Sequence, residues 1–245
     1  RNRDVPVATS PAAPMTSGWF ITGTGTGVGK TLIACALVDA LARAGHKVAG
    51  MKPVASGARR TPDGLRHEDA ERLRAAGNVQ ADYETINPYC FEMPIAPHLA
   101  AEDAGQAIRL ELILERYAQL RQRARFVVVE GAGGWRVPLG PQSAMSDLAR
   151  ALGLPVVLVV GMRLGCLNQA LLSVEAIRRD GAAFAGWVAN RIDPGMPLFE
   201  RNLVTLEQRI GLAPLAIFPH RSPGNHPAWP APLSLEKIMM NITIA

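Results

Sequence analysis

The sequence predicts an α/β domain in which a mostly parallel sheet is covered by helices on both faces. Short, uniformly apolar runs alternate along the chain with longer segments whose apolar residues recur at helical spacing. Strands that are apolar throughout are typical of parallel sheets buried on both faces. The chain has 245 residues, 48% of them hydrophobic, which is enough for one large core. We therefore expect a single domain over residues 18–245, preceded by a flexible tail at 1–17 that is rich in Ala, Pro, Ser and Thr.

The pattern of apolar residues assigns the individual elements in chain order. The predicted strands are 19–21, 46–51, 126–129, 155–160, 184–189 and 213–218. The predicted helices are 32–41, 68–76, 110–122, 166–179 and 196–210. Residues 57–66 are predicted to form a polar loop, and the proline-rich segments 86–98 and 219–233 are predicted to be irregular.

The turn after the first strand reads Gly23-Thr-Gly-Thr-Gly-Val-Gly-Lys-Thr31, and a helical pattern follows it. A strand, a glycine-rich turn, Lys-Thr and a helix in this order are the layout of a P-loop, so the predicted fold class is P-loop NTPase-like. Lys30 would reach the terminal phosphates of a nucleotide, and the Thr31 hydroxyl would bind Mg²⁺. The match departs from the strict pattern, because Thr24 stands where its first glycine belongs. The alternative is a glycine-rich turn that binds nothing.

Two polar residues follow predicted strands at their carboxyl ends, where ligands bind in parallel sheets. Lys52 ends the second strand, and Pro53 keeps it extended. Lys52 is therefore either an anion clamp, together with Ser56, or a solvated surface charge. Glu130 ends the strand 126–129 and leads into a glycine-rich turn, a layout that is typical of a Walker-B metal site. The alternative for Glu130 is a carboxylate that caps a turn.

Three further positions remain open from spacing alone. Asp69 lies near a helix start, where a carboxylate is often only a cap, but with Thr31 and Glu130 it completes an oxygen set suited to Mg²⁺. Asn190 ends another strand and either pairs with a base edge or forms a turn. The segment 161–168 opens a helix whose free N–H groups can take a carboxylate or be capped.

Composition argues against several classes of function. The net charge is +5, but the basic residues are scattered and only 5% of residues are aromatic, so we expect no nucleic-acid partner. The longest apolar run, 154–160, is too short to span a membrane. Three cysteines lie far apart, which indicates no zinc site and fits a reducing cytoplasm.

Several motifs, in order and at matching spacing over roughly residues 18–218, resemble the dethiobiotin synthetase family. The P-loop run is joined by two more specific motifs, Lys52-Pro-Val-Ala-Ser-Gly57 and Val129-Glu-Gly-Ala-Gly-Gly-Trp135. The remaining matches are Asn87-Pro-Tyr89, Ala96-Pro-His98, Val159-Val-Gly-Met-Arg-Leu-Gly-Cys-Leu-Asn168 and Gly186-Trp-Val-Ala-Asn190.

The resemblance implies an enzyme that is ATP- and Mg²⁺-dependent and acts on 7,8-diaminononanoate and CO₂. One amine forms a carbamate, ATP phosphorylates it to a carbamic-phosphoric anhydride, and the second amine closes the cyclic urea of dethiobiotin with release of ADP and phosphate. The carbamate and the γ-phosphate are both anions, so cations must bring them together. The resemblance also implies a homodimer in which each subunit contributes to its neighbour's site.

The resemblance assigns roles residue by residue. Catalytic roles fall on Lys52, Lys30 and Thr26; Mg²⁺ ligands are Thr31, Asp69 and Glu130. Substrate contacts are Ser56, Gly133, Leu164, Gly165, Cys166 and Asn168, and the Gly165–Asn168 helix start binds the carboxylate of the neighbouring subunit's substrate. ATP contacts are Gly27, Val28, Gly29, Lys30, Thr31, Asn190 and Pro219.

Two departures from the family pattern bear on these assignments. Gly25 stands where the family often has Asp, and residues 219–225 differ from the Pro-Trp-Leu pattern of the adenine pocket. The main rival is a partitioning or septum-positioning switch ATPase, which uses a similar deviant loop. That class has a lysine where this chain has Gly25, and the Lys52 motif has no role in it. A corrinoid-acid amidotransferase would need a further glutamine-handling domain, for which no chain length remains. A nucleotide-binding module without catalysis is the other alternative.

Overall fold

The protein is described by a computed structural model over residues 17–220 and 235–240. The strands are short and mostly buried. In chain order they are β1 (Gly18–Gly23), β2 (Val48–Met51), β3 (Val54–Ser56), β4 (Arg59–Thr61), β5 (Gly64–Arg66), β6 (Tyr89–Phe91), β7 (Phe126–Glu130), β8 (Val156–Gly161), β9 (Phe184–Asn190) and β10 (Ala216–Phe218).

Helices follow most strands of the domain, as the alternating pattern predicts. They are α1 (Lys30–Arg43), α2 (Glu68–Ala76), α3 (Tyr83–Ile86), α4 (Pro97–Asp103), α5 (Leu110–Arg123), α6 (Met145–Leu152), α7 (Cys166–Arg179), α8 (Phe199–Ile210) and α9 (Leu235–Met240).

A parallel sheet forms the centre of the domain. Its strand order is β10-β9-β8-β1-β7-β2, and every neighbouring pair is parallel. One apolar cluster packs α1 and α9 against one face, and a second packs α5 to α8 against the other. The predicted single α/β domain, with a parallel sheet and helices on both faces, is therefore confirmed. The carboxyl ends of β1, β2 and β7 meet at one edge, because parallel neighbours point the same way.

Several short elements were not predicted. Residues 57–66, expected to be a polar loop, contain the antiparallel hairpin β4–β5, in which Gly64 turns the chain with φ of 102° and Thr61 donates to its carbonyl. The segment 86–98, expected to be irregular, contains β6, which pairs with β3. The expectation was wrong in both places because pairing with a neighbouring strand, rather than local apolar periodicity, supplies the backbone hydrogen bonds of such short strands.

The chain ends lie largely outside the described residues. Of the predicted tail, only Ser17 is described, and it belongs to the fold: its carbonyl accepts from the Val127 N–H at 2.9 Å, and its hydroxyl lies 2.9 Å from that of Tyr117. Residues 1–16 and most of the segment 219–233 lie outside the described part. No helix within the described residues is both long and apolar enough to cross a lipid bilayer.

Candidate functional site

A cleft of about 750 Å³ opens at the carboxyl edge of the central sheet, where β1, β2 and β7 end. It brings together most of the residues singled out from the sequence. Those that line it are Thr26, Gly27, Gly29, Lys30, Thr31, Lys52, Ser56, Asp69, Glu130 and Gly133. The other predicted residues do not line it: Val28, Leu164, Gly165, Cys166, Asn168, Asn190 and Pro219.

The glycine-rich turn joins β1 to α1 as a P-loop does. Gly29 precedes the helix with φ of 92°, and a Cβ there would lie 2.2 Å from Asn190 Nδ2, so no other residue fits this position without rearrangement. Lys30 is buried, and its ammonium donates to the Gly25 carbonyl at 2.8 Å. Burial, together with the nearby charge of Lys52, lowers the pKa of Lys30 to about 8.

The departure at Thr24 has a structural explanation. Among the described residues, Leu198 is the one non-glycine with positive φ, so Thr24 occupies a conformation that requires no glycine. Thr24 instead forms an antiparallel bridge with Gly134. This bridge ties the start of the P-loop to the glycine-rich turn after β7.

Lys52 lies at the centre of a buried charge cluster. Its Nζ is 2.7 Å from Glu130 Oε1 and 3.2 Å from Asp69 Oδ2. The Thr31 hydroxyl donates to the same Glu130 oxygen at 2.9 Å. Burial alone would lower the pKa of Lys52, but the two carboxylates outweigh it and raise the pKa above its ordinary value. Lys52 is therefore a buried ammonium and not a solvated surface charge.

Asp69 does not cap its helix. The N-cap of α2 is His67, whose ring Nδ1 accepts from the Asp69 N–H at 3.2 Å. The carboxylate of Asp69 faces Lys52 and Thr31; although burial opposes it, their contacts lower the pKa of Asp69. The capping role that the local sequence favoured for Asp69 is therefore wrong. His67, two residues earlier, caps the helix, and the Asp69 carboxylate pairs with Lys52 on another element.

The surroundings of Glu130 also differ from those expected of a carboxylate that caps a turn. Its side chain is 1% exposed, and its second oxygen, Oε2, has no hydrogen-bond partner among the described residues. A buried carboxylate oxygen without a partner is costly unless something else satisfies it. With the Thr31 hydroxyl and the Asp69 carboxylate beside it, Glu130 offers the oxygen-rich corner that a hard cation prefers. Within the described residues, no three His, Cys, Asp or Glu side chains are arranged to hold a metal ion by themselves, and a set of two carboxylates and a hydroxyl requires none.

Asn190 contacts the P-loop from the neighbouring part of the sheet. It is 5% exposed, and its Nδ2 donates to the Val28 carbonyl at 2.8 Å. The pairing of β9 with β10 places Asn190 opposite Phe218, so Pro219 follows at the same edge. Asn190 therefore supports the loop that carries Gly29, in addition to any contact with a base.

The remaining predicted residues fall into two groups. Ser56 lines the cleft and donates to the Ile95 carbonyl at 2.8 Å, while a Cβ on Gly133 would lie 3.8 Å from the Thr26 hydroxyl oxygen and 2.6 Å from Val137. The start of α7 lies elsewhere: Leu164 is 95% exposed, and Gly165 is the N-cap with φ of 93°. In a single chain, the second group does not meet the cleft.

Sequence reasoning did not single out several residues that line the cleft. These are His67, Arg72 and the apolar wall 94–97. The wall overlaps the motif Ala96-Pro-His98, which was a signal of resemblance but carried no role. Arg72 had no local signal, since a basic residue on a short polar helix is ordinarily solvated.

Comparisons with known proteins identify the family of this chain. The family described as "AAA domain" matches residues 17–228. The ATP-dependent dethiobiotin synthetase BioD of Xanthomonas oryzae pv. oryzae (strain PXO99A) is 53% identical over 194 residues, which are 79% of this chain and 87% of the relative. The proteins of the same name from Aromatoleum aromaticum and Nitrosospira multiformis are each 50% identical, over 82% and 87% of this chain and 90% and 92% of their own lengths.

Solved structures with a similar fold are more distant in sequence. The MinC:MinD cell division protein complex of Aquifex aeolicus matches with a TM-score of 0.52 and 15% identity, over 84% of this chain and 82% of the other. A ParA family ATPase from Chlorobium tepidum matches with a TM-score of 0.51 and 14% identity, over 84% and 86%. These likenesses show a shared fold and nothing about activity. The chain has a P-loop and a cleft that contains Lys30 and Lys52, and it is 50–53% identical to the curated relatives over most of both chains. It therefore belongs to the dethiobiotin synthetase family.

Proposed function

We propose that the protein is an ATP-dependent cyclo-ligase that forms dethiobiotin from 7,8-diaminononanoate and CO₂. The observation that carries this proposal is the buried ammonium of Lys52, which lies in the same cleft as the P-loop lysine. Two buried cations in one cleft suit a reaction in which two anions must meet. The names of the 50–53% identical relatives support dethiobiotin as the product and the use of ATP.

The proposed reaction runs in three steps. One amine of the substrate adds to CO₂ and loses a proton to form a carbamate. A carbamate oxygen then attacks the γ-phosphorus of ATP, ADP leaves, and a carbamic-phosphoric anhydride results. The second amine attacks the carbonyl carbon, the C–O bond to phosphate breaks, and the cyclic urea forms with release of phosphate and a proton.

The roles of the lysines follow from their positions. Lys30 and the backbone of Gly27, Val28 and Gly29 hold the triphosphate, as in other P-loops. Lys52 neutralises charge where the carbamate approaches the γ-phosphate, and the Thr26 hydroxyl donates a hydrogen bond there. Ser56 and Gly133 line the adjoining part of the cleft and contact the diamine. The proposed adenine side is formed by Asn190 and Pro219, next to the loop.

Thr31, Asp69 and Glu130 fit a magnesium ion that accompanies ATP. The partnerless Oε2 of Glu130 supports this, because a cation at this corner would satisfy it. Mg²⁺ prefers one or two carboxylates together with phosphate oxygens and water, which is the set available here. When bound, it would supply positive charge against the phosphates. Lys52 contacts Asp69 and Glu130, so the same carboxylates would hold both the lysine and the cation.

The start of α7 is proposed to serve the neighbouring subunit of a homodimer. Leu164, Gly165, Cys166 and Asn168 do not line the cleft of their own chain. A helix N-terminus is suited to a carboxylate, which the substrate carries at the end of its chain.

Mixed dimers test this sharing. Lys52→Ala inactivates the site of its own subunit. Asn168→Asp places a negative charge against the substrate carboxylate in the partner's site. In a dimer with one subunit of each variant, one of the two sites therefore keeps both wild-type residues. Mixing the two inactive variants is expected to restore about a quarter of the wild-type activity. A mixture no more active than its components would contradict the shared site.

Phosphate release in the presence of MgATP, bicarbonate and 7,8-diaminononanoate tests the function itself. We expect release to depend on the diamine and to yield dethiobiotin in equal amount. Release that ignores the diamine would favour the switch ATPase instead. Gly25, which offers a carbonyl to Lys30 and no side chain, argues against that class.

A further inference from the structure

A chain of hydrogen bonds connects the backbone of Lys52 with His67, the residue that begins α2 as its N-cap. Asn87 is 2% exposed, and its Nδ2 donates to the backbone carbonyls of Lys52 at 2.6 Å and Tyr89 at 3.1 Å. The hydroxyl of Tyr83 donates to Asn87 Oδ1 at 3.0 Å. Both amide ends of Asn87 are therefore used, and its side chain holds the peptide that carries Lys52.

The same chain continues to the residues around Asp69. The backbone N–H of His67 donates to the Tyr83 hydroxyl at 2.7 Å. Because His67 Nδ1 accepts from the Asp69 N–H, the neutral ring carries its proton on Nε2, which lies 3.2 Å from the Ser56 carbonyl. The Tyr83 hydroxyl thus connects the backbone at Lys52 with the backbone at Asp69 and Ser56.

The segment that carries Tyr83 and Asn87 also grips Lys52 through the main chain. The Lys52 N–H donates to the Ile86 carbonyl at 2.9 Å, and the Tyr89 N–H donates to the Pro53 carbonyl at 3.1 Å. α3 and β6 therefore fix both sides of the Lys52-Pro53 peptide. The Lys52 ammonium and the Asp69 carboxylate, 3.2 Å apart, belong to different elements that this segment joins.

We propose that Tyr83 and Asn87 are positioning residues for the reaction at this cleft. They act through Lys52 and Asp69, whose positions relative to each other they fix, and they do not themselves touch the substrate. Precise placement matters because a shift of about 1 Å at a reacting group can lower a rate by about a hundredfold. This inference rests on the proposed function for its kinetic test, but its structural test is independent of activity.

Two buried tyrosines provide a matched pair of variants. Tyr83→Phe removes one hydroxyl and the two hydrogen bonds that link His67 to Asn87, while the ring keeps its contact with Arg66 at 4.2 Å. Tyr89→Phe, the control, removes an equally buried hydroxyl that accepts from the Arg109 N–H at 2.9 Å. Both variants lose buried hydrogen bonds and some stability, but only the first breaks the chain.

We expect kcat of Tyr83→Phe to fall about tenfold and KM for ATP to change by less than about twofold, because the P-loop lies outside the chain. Tyr89→Phe should keep kcat within about twofold. Both rates are normalised to the number of ADP-binding sites, so that unfolded protein does not contribute. If Tyr83→Phe keeps its kcat, or if both variants lose it equally, the positioning role is overturned.

Crystal structures of the same two variants give the second test. We expect the distance from Lys52 Nζ to Asp69 Oδ2 to exceed about 4 Å in Tyr83→Phe, beyond ion-pair range, and to stay unchanged in Tyr89→Phe. An unchanged distance in both overturns the inference. If the wild type shows no diamine-dependent phosphate release, the proposed function fails while the crystallographic comparison still decides the positioning role. Asn87→Asp, which keeps the acceptor for Tyr83 but loses the donor to Lys52, is measured in the same way should Tyr83→Phe not fold.

Discussion

The ammonium of Lys52 lies 2.7 Å from Oε1 of Glu130, and both side chains are almost fully buried. The pair joins the end of β2 to the end of β7, adjacent strands of the sheet. A buried ion pair contributes little net stability, because desolvation offsets the attraction, but removing one partner strands the other. Its position at the mouth of a P-loop therefore suggests a role in binding anions more than in holding the fold.

Lys52→Ala should abolish turnover while leaving ATP binding partly intact. The loss of one cation aimed at developing charge typically costs a factor of about a hundred or more in rate. ATP binding persists because Lys30 and the loop backbone remain. Phosphate release and ADP calorimetry measure the two effects, and Lys47→Ala, which changes an exposed lysine just before β2, the strand that Lys52 follows, is the control. Near-normal turnover would remove Lys52 from the mechanism.

Asp69→Asn should raise the Mg²⁺ concentration needed for half-maximal rate without unfolding α2. The helix keeps its cap because His67 provides it, so the fall in the free energy of unfolding reflects only the lost ion pair with Lys52, which Glu130 still partners. His67→Ala, in contrast, should lower that free energy by about 1 kcal/mol through loss of the cap. Metal titrations of the rate and urea unfolding curves separate the two variants. An unchanged magnesium requirement in Asp69→Asn would argue against its role as a ligand.

Asn190→Ala should reduce the preference for ATP over GTP and also weaken the binding of both. The general weakening follows from losing the hydrogen bond to Val28, which supports the loop. The change in preference follows from the proposed contact with adenine, since an amide can pair with a base edge. Competition binding with the two nucleotides measures both effects. Equal weakening of ATP and GTP would leave Asn190 with a supporting role alone.

Asp180 anchors the segment that follows the glycine-rich turn after β7. Trp135 Nε1 donates to its Oδ2 at 2.8 Å, and Arg136 Nη2 lies 2.7 Å from its Oδ1. Burial opposes ionisation, but these hydrogen bonds and nearby arginines outweigh it and lower the pKa of Asp180. A carboxylate whose pKa is lower in the folded state stabilises the fold above its unfolded pKa of about 3.9, and that contribution is lost as pH falls through the folded value.

Asp180→Asn should therefore lower the free energy of unfolding by about 1 kcal/mol at neutral pH, and by less as pH falls below about 4. Urea unfolding at both pH values measures the difference from wild type. Glu175→Gln, at an exposed position of α7, which ends just before Asp180, is the matched control and should show no such difference. If the difference in the free energy of unfolding between Asp180→Asn and wild type does not shrink at low pH, the effect comes from packing and not from charge.

Much of the site could be predicted because its residues follow strands. Lys52 and Glu130 each end an apolar run, and the carboxyl ends of neighbouring parallel strands converge whatever the details of packing. The P-loop was recognisable because its glycines and Lys-Thr are contiguous. In both cases the chemistry and the position are written within a few adjacent residues.

Asp69 shows where this reasoning stops. Local sequence favoured a cap, yet His67 caps the helix and Asp69 pairs with Lys52, which is 17 positions away along the chain and on another element. The hairpin in 57–66 and the strand β6 escaped prediction for a related reason, since each depends on a partner strand. The β3–β6 and Lys52–Asp69 pairings are chosen by which groups meet in space, and no short window of residues contains both partners. The β4–β5 hairpin is local, but its strands are too short and too polar to show an apolar period.

Short stretches of sequence predict the order of strands and helices, the anion-binding loop, and the lysine and glutamate at the strand ends. They do so because hydrophobic periodicity and backbone chemistry act over a few residues. The sharing of Glu130 between Lys52 and Thr31 arose only when distant segments packed together, as did the hydrogen bonds that join Asn87 to Lys52 and Tyr83 to His67. Burial removes the water that would otherwise satisfy these polar groups, so each must find its partner within the folded protein.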